Sequence, residues 1–349
     1  MLTPPELLFQ VETGVMQNIL SELQKGKTTP ALWKADRLKA MGTLNTANIK
    51  LIKKYEQALK TGTAEEIKKA QDDALYRIDT IYKRAVKKGA SATIAKKGVS
   101  EATQKITNAY VSQGGSELNY TLQSLLNNSK AIYKETIEKT SYEFLQGVTT
   151  LDQALQKTCS RWIGAGSLSI KDSAGRDWSP ETYGRMILRT NQRQITTQVT
   201  LKRNEENGNT LIEVSSHGGA RRGCAPYQGK VYTTGKDKGY PSLSSTSYGE
   251  PAGLFGINCR HDSYPFFKGL SSKAFDPKPF NKEEYNLTQE QRRNETAIRN
   301  AKRNLELTKA NGGDVTKATA KVKAAQANQR AFINKTGRTR RVNREQLTT

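Results

Sequence analysis

Histidine and cysteine are scarce in this chain: its 349 residues include two histidines and three cysteines. The cysteines, Cys159, Cys224 and Cys259, are odd in number, which excludes a fully paired scaffold of the small secreted kind. Aromatic residues make up only 7% and hydrophobic residues 35%, so a core can form while much of the chain stays at the surface. Long apolar runs are missing as well. No window of about 18 apolar residues occurs, which excludes a conventional membrane-spanning helix. Residues Met1–Glu6 hold no basic stretch leading into an apolar run, so no secretory signal is expected. A Walker loop, a dinucleotide-binding glycine motif, a zinc-protease helix motif and a nucleophile elbow are all absent. The glycine pair Gly249 and Gly253, separated by Glu-Pro-Ala, is none of these.

Acidic charge is the other deficit. The 33 Asp and Glu residues against 56 Lys and Arg leave a formal net charge of +23. Such an excess favours polyanionic partners, among them DNA, RNA, acidic proteins and anionic membrane surfaces. It carries no information about fold.

What the chain does have is helical periodicity. Thr3-Pro4-Pro5-Glu6 has the order of a helix start, with a cap, a proline at the first helical position and an acidic residue in the first turn. Leu8, Val11, Val15, Ile19 and Leu23 follow at helical spacing, and Gly26 ends the run. A second helix carries Ile49, Ile52, Tyr55 and Leu59. Thr63 and Glu66 suggest a capping box for a third, which carries Ile67, Ala74, Ile78 and Ile81 and ends in a basic cluster, Lys83, Arg84, Lys87 and Lys88, suited to the helix dipole. Further helices are expected over 91–110 and 116–146, with Gly114-Gly115 as the break. Residues 162–178 are rich in glycine and small polar residues, which suggests a turn or short hairpin. Ser179-Pro180 opens a helix reaching about Glu206. Leu211–Ser215 and Lys230–Thr233 have strand character. After Asp276-Pro277 helices return. One is expected to be capped by Thr288 and Gln291 and to run to Ala310. Asn311–Asp314 is a turn, and a last helix carries Val315, Ala318, Val322, Ala325, Gln329 and Phe332.

The expected fold class is mainly α with a small α+β domain, comprising an elongated helical N-terminal region and a C-terminal helical hairpin. The domain reading is a helical assembly region at 1–158, an α+β domain at 159–275 and a basic hairpin and tail at 276–349. The tail residues Arg330, Lys335, Arg338, Arg340, Arg341 and Arg344 face one nearby acid, Glu345. They are candidates for polyanion binding, against the plainer reading of a solvated end.

Both histidines and two of the three cysteines fall within residues 217–261. The strings there are His217-Gly218-Gly219-Ala220-Arg221, Cys224-Ala225-Pro226-Tyr227, Gln228-Gly229-Lys230-Val231-Tyr232, Tyr240-Pro241, Tyr248-Gly249 and Asn258-Cys259-Arg260-His261. They are preceded by Tyr183–Thr190 and followed by Pro265-Phe266-Phe267. As a set this resembles the phage minor capsid protein 2 family, related to the Mu F-like phage head-morphogenesis proteins, mainly over residues 160–270. The resemblance implies a non-enzymatic structural protein of the phage head, made with the portal and capsid genes. Its partners would be the portal protein, the major capsid protein and packaged double-stranded DNA. Its place would be the virion head, and the host cytoplasm during assembly. A DNA-associated head protein ejected with the genome is the main alternative, and a nuclease-like effector a further one. Some relatives carry more cysteines near the first motif and a cysteine where this chain has His261.

The residues themselves allow several chemistries. In the structural reading, Cys224 and Cys259 are small buried groups and His217, Arg221 and Arg260 bond loop carbonyls. Arg221 and Arg260 could also hold phosphate or acidic partners through their forked donors. His217, Cys224, Cys259 and His261 form a chemically suitable tetrahedral zinc set, although their spacing is not that of a zinc finger. A Cys224–Cys259 disulfide is a further option. Finally, His217 and His261 could act as acid and base on a phosphodiester. No cofactor is required by the structural reading, with zinc as the alternative.

Overall fold

The computed structural model describes residues 2–26, 29–95, 98–145, 150–165, 168–172, 175–310 and 312–347. Among these, eight α-helices accompany one two-stranded and one three-stranded antiparallel sheet, so the chain is mainly α with a small α+β part. No helix among the described residues is long and apolar enough to cross a membrane. The chain divides into two compact units, one of residues 1–60, 117–185 and 290–349, the other of residues 61–116 and 186–289.

The first unit begins with helix α1, Pro4–Leu23. The Thr3 amide donates to Glu6 Oε2 at 2.7 Å, satisfying a donor at the helix start. Leu8, Val11, Val15 and Ile19 are fully buried, as their spacing requires. Gly26 follows with φ +62°. Helix α2, Pro30–Lys39, was not evident in the sequence. It closes the open end of α1: Trp33 Nε1 donates to Leu23 O at 3.2 Å, and Arg37 donates to Glu22 O at 2.6 Å and to Glu22 Oε1 at 2.7 Å. Tyr133 donates to Arg37 O at 2.9 Å, joining a third segment to this corner.

Two expected breaks are not breaks. Helix α3 is continuous over Met41–Lys87, so Thr63 lies in a helix interior rather than at a cap. Leu59, Thr63 and Ile67, one turn apart, are all buried and form one unbroken stripe, and packing of that stripe overrides the local capping signal. Helix α4 runs over Glu101–Leu145, straight through Gly114-Gly115, and starts ten residues later than expected. Ser100 Oγ accepts the Thr103 amide at 3.2 Å and fixes that start. Helix α5, Leu151–Ala165, reaches into the glycine-rich stretch. The expected hairpin is the short ribbon of strands β1, Ile170–Lys171, and β2, Asp177–Trp178; Ser173 and Ala174 lie outside the described residues.

Helix α6 spans Pro180–Glu206, as the sequence indicates. In the second unit its Ile195 and Val199 pack with Ile67, Ala74 and Leu75 of α3. Arg203, with its side chain 2% exposed, reaches both oxygens of Asp79, at 2.8 and 3.0 Å, and Glu206 at 3.3 Å. The three-stranded sheet has the order β4-β3-β5, with β3 Leu211–Val214 in the centre, β4 Val231–Thr233 on one side and β5 Ser263–Pro265 on the other. Ile212 pairs with Tyr232 and with Pro265. Strand β5 was not anticipated because it is short and contains proline, which an edge strand tolerates.

Helix α7, Lys282–Ala310, begins earlier than the Thr288 cap the sequence suggests. Asn281 Oδ1 accepts the Glu284 amide at 2.9 Å and is the true cap, while Thr288 is buried within the helix. Helix α8, Thr316–Thr336, ends at Gly337 with φ +66°. Asn311 lies outside the described residues. In the first unit the chain after α8 returns along α7, where Gln291 donates to Thr339 O at 2.9 Å and Arg299 donates to the Arg344 carbonyl. The two helices therefore form an antiparallel hairpin.

Candidate functional site

The second unit gathers the histidine- and cysteine-bearing loops beside the three-stranded sheet. The chain leaving β3 runs through His217, Arg221 and Cys224 into a 3-10 turn at Ala225–Tyr227, then returns as β4. The chain entering β5 brings Cys259 and His261. Pairing of β3 with both neighbours therefore carries these two loops together, although they are distant in sequence.

Several glycines permit the close approaches. A Cβ on Gly218 would lie 1.8 Å from Glu284 Oε1 of α7. A Cβ on Gly253 would lie 1.8 Å from the Ser247 carbonyl oxygen, a backbone contact that no side-chain movement relieves. Phe255 and Asn258 both have φ of +58°, a conformation uncommon outside glycine and costly for a bulky side chain. These turns aim the Phe255 amide at Cys259 Sγ, 3.2 Å away.

Cys224, Cys259 and His261 are buried, at 1, 3 and 2% exposure. The two sulfurs are 3.9 Å apart, and Cys259 Sγ is 3.3 Å from His261 Nδ1. All three ligand atoms lie within 4.8 Å of one another. Arg221 donates through Nε to Cys224 Sγ at 3.2 Å, and its other nitrogens hold the carbonyls of Ile257 at 2.8 Å and Gly253 at 2.7 Å. The forked guanidinium thus ties the first loop to the second. A hydrogen bond from Cys259 and the Arg221 charge hold the Cys224 thiol well below the usual range, against the opposing effect of burial. Cys259 is pushed up by the same bond and by burial.

His217 stands outside this three-residue group. Its ring stacks on that of His261 at 4.4 Å between centroids, and its Nδ1 lies 2.9 Å from Gly218 O. Two stacked imidazoles do not present an acid and a base to opposite sides of a scissile bond, so the arrangement offers little to phosphodiester cleavage. Arg260 is half-buried between Cys259 and His261.

Gln228 is the residue that sequence reasoning overlooked as a functional group. Its Oε1 accepts the His217 amide at 3.0 Å and lies 3.0 Å from His261 Nε2, while its Nε2 donates to Lys278 O at 2.8 Å. Gln228 is buried beside Gly229, which turns with φ +65°, features that become visible only in the fold.

The basic tail belongs to the first unit. Arg330 and Lys335 are exposed on α8. Arg338 donates to Gln291 at 3.0 Å, Arg340 to Glu345 at 2.8 and 2.5 Å, and Arg341 to Glu295 at 2.7 Å. Arg344 is half-buried, and burial lowers its pKa. The segment is folded onto α7 and is not a loose solvated end.

Comparison with known proteins agrees in kind. The family model described as phage minor capsid protein 2 matches residues 6–334. A structural protein of Lactococcus phage LL-H is 30% identical over 254 residues, covering 68% of this chain and 67% of that protein. A structural protein of Lactococcus phage mv4 is 47% identical over 32 residues, covering 9% of this chain and 26% of that protein. No solved structure matches significantly.

Proposed function

The chain belongs to the phage minor capsid protein 2 family, and from that premise we propose that it is built into the head of a tailed bacteriophage through contacts with the portal protein or the major capsid protein. The observation that carries this reading is the extent of the family match, residues 6–334, which takes in both compact units and not an isolated motif. The chain's work is then binding and not catalysis. The stacked histidines and the internally bonded Arg221 of the loop region serve to hold the loops in place. The excess of positive charge suits a protein that lies against packaged double-stranded DNA, and assembly would take place in the host cytoplasm.

Quantitative mass spectrometry of purified mature particles, alongside empty particles lacking DNA, tests the proposal. The expected result is presence in both, at a low and fixed ratio to portal protein. Presence only in DNA-filled particles would replace it with a genome-bound role, and absence from both would remove the virion assignment.

A further inference from the structure

We infer that Cys224, Cys259 and His261 bind a zinc ion, which joins the loop after β3 to the loop before β5. The donor set is two thiolates and one imidazole, the soft and borderline ligands that zinc prefers. With zinc–sulfur bonds of about 2.3 Å and zinc–nitrogen bonds of about 2.0 Å, tetrahedral coordination puts sulfur atoms about 3.8 Å apart and sulfur and nitrogen about 3.5 Å apart. The sulfurs lie 3.9 Å apart and Cys259 Sγ lies 3.3 Å from His261 Nδ1, with all three ligand atoms within 4.8 Å of one another. A disulfide instead needs its sulfurs at about 2.05 Å, so the loops would have to close by nearly half that gap.

The surroundings of the ligands are those of a metal site. Gln228 fixes the tautomer of His261. Reversing its amide would set its NH2 against the His217 amide and its oxygen against the Lys278 carbonyl, so the oxygen faces His261 Nε2. Nε2 therefore carries the proton and donates a hydrogen bond to Gln228 Oε1, which leaves the Nδ1 lone pair facing Cys259 Sγ. Each thiolate has its own N–H donor, Arg221 Nε for Cys224 and the Phe255 amide for Cys259. Outer partners of this kind orient ligands and offset thiolate charge. His217, stacked on the ligating ring, shields it and is not a ligand.

The test uses the full chain purified without chelators. Elemental analysis should find about one equivalent of zinc per chain. Removal by a strong chelator should lower the melting temperature, and cobalt(II) added to the stripped chain should give a sulfur-to-cobalt charge-transfer band with the intensity of tetrahedral coordination. Cys259→Ser and His261→Ala should lose the metal, and His217→Ala should keep it. The cobalt spectrum of the unaltered chain decides the matter even if a variant fails to fold. A chain that holds no zinc and gives no cobalt band would overturn the inference. So would a mass two hydrogens lighter that marks a Cys224–Cys259 disulfide, or zinc retained by a folded His261→Ala variant.

Discussion

Gly114 and Gly115 stand next to each other in the middle of α4, and the same substitution should act differently at each. Both have ordinary helical backbone, since neither is among the glycines with positive φ. A Cβ added to Gly115 meets nothing within 4 Å. One added to Gly114 lies 3.0 Å from Thr63 Cγ2 and 3.2 Å from Ile67 Cδ1 of α3. Alanine is favoured over glycine in a helix interior by about 0.8–1.0 kcal/mol, so Gly115→Ala should stabilise by about that amount. Gly114→Ala has the same backbone gain, but its methyl must push two side chains aside, and the net change should be close to zero. Gly114→Val adds branched volume to the same gap and should cost about 1–3 kcal/mol. Urea unfolding followed by far-ultraviolet circular dichroism measures the series, with the midpoint moving at constant slope. The expected order is Gly115→Ala above wild type, wild type level with Gly114→Ala, and Gly114→Val lowest. Equal responses at the two positions, or a Gly114→Val chain as stable as wild type, would refute close helix approach as the reason for the glycine.

Other parts of the structure give equally direct expectations. Asp79→Ala removes both carboxylate contacts, at 2.8 and 3.0 Å, of the buried Arg203 guanidinium, while Glu206 remains at 3.3 Å. Because that residual partner remains, the cost should be about 2–3 kcal/mol, below the ~3–5 kcal/mol of a fully stranded buried charge; a thermal unfolding loss under about 1 kcal/mol would mean the pair contributes little. Glu12 is buried, and burial raises its pKa above 4.5 against the pull of Arg303 at 3.7 Å. A raised folded pKa contributes stability while the group is protonated, and that contribution is lost as pH rises through it. Glu12→Gln should therefore flatten this fall and be at least as stable at neutral pH, and urea midpoints across about pH 4 to 8 would show the opposite if Arg303 needs the charge. Arg341→Ala removes the 2.7 Å partner of Glu295, which is 2% exposed, while the Arg299 and Arg344 charges still act on it, so the cost should be about 2–3 kcal/mol, whereas Lys335→Ala on the exposed face of α8 should stay within about 0.5 kcal/mol. Similar melting temperatures for these two variants would contradict a structural role for the tail arginines.

Local chemistry was legible in the sequence where it acts locally. The proline-led starts of α1 and α6, the periodic stripe of α1 and the strand character of β3 and β4 all follow from residue order. The concentration of rare histidine and cysteine marked the loop cluster for the same reason, because scarcity makes coincidence improbable. What escaped depends on contacts across the chain. Thr63 has the chemistry of a cap but is buried in a stripe with Leu59 and Ile67. Gly114-Gly115 has the chemistry of a break, but the helix runs through it and Gly114 makes a close approach to α3. Asn281, not Thr288, caps α7, because the buried face of that helix lies where Gly219 meets Thr288. Gln228 could not be read as the orienting partner of His261 before β3 and β5 had paired.

The charge of the chain shows the same limit with a functional consequence. The densest run of arginine in the sequence is the one least able to bind an external polyanion. Arg340 and Arg341 satisfy Glu345 and Glu295, which are 1 and 2% exposed. A phosphate that captured either guanidinium would leave a buried carboxylate unpaired, a cost comparable to the contact it forms. The lysines carry no such penalty. Lys83, Lys87 and Lys88 with Arg84 are exposed at the end of α3, and Lys317, Lys321, Lys323 and Lys335 with Arg330 are exposed along α8. Such side chains can neutralise phosphates and release counterions without disturbing the fold. If the proposed head location holds, contact with packaged DNA would use these helix surfaces, because the arginine-rich end, by composition a candidate for polyanion binding or a solvated end, is instead bonded to buried acids of its own unit.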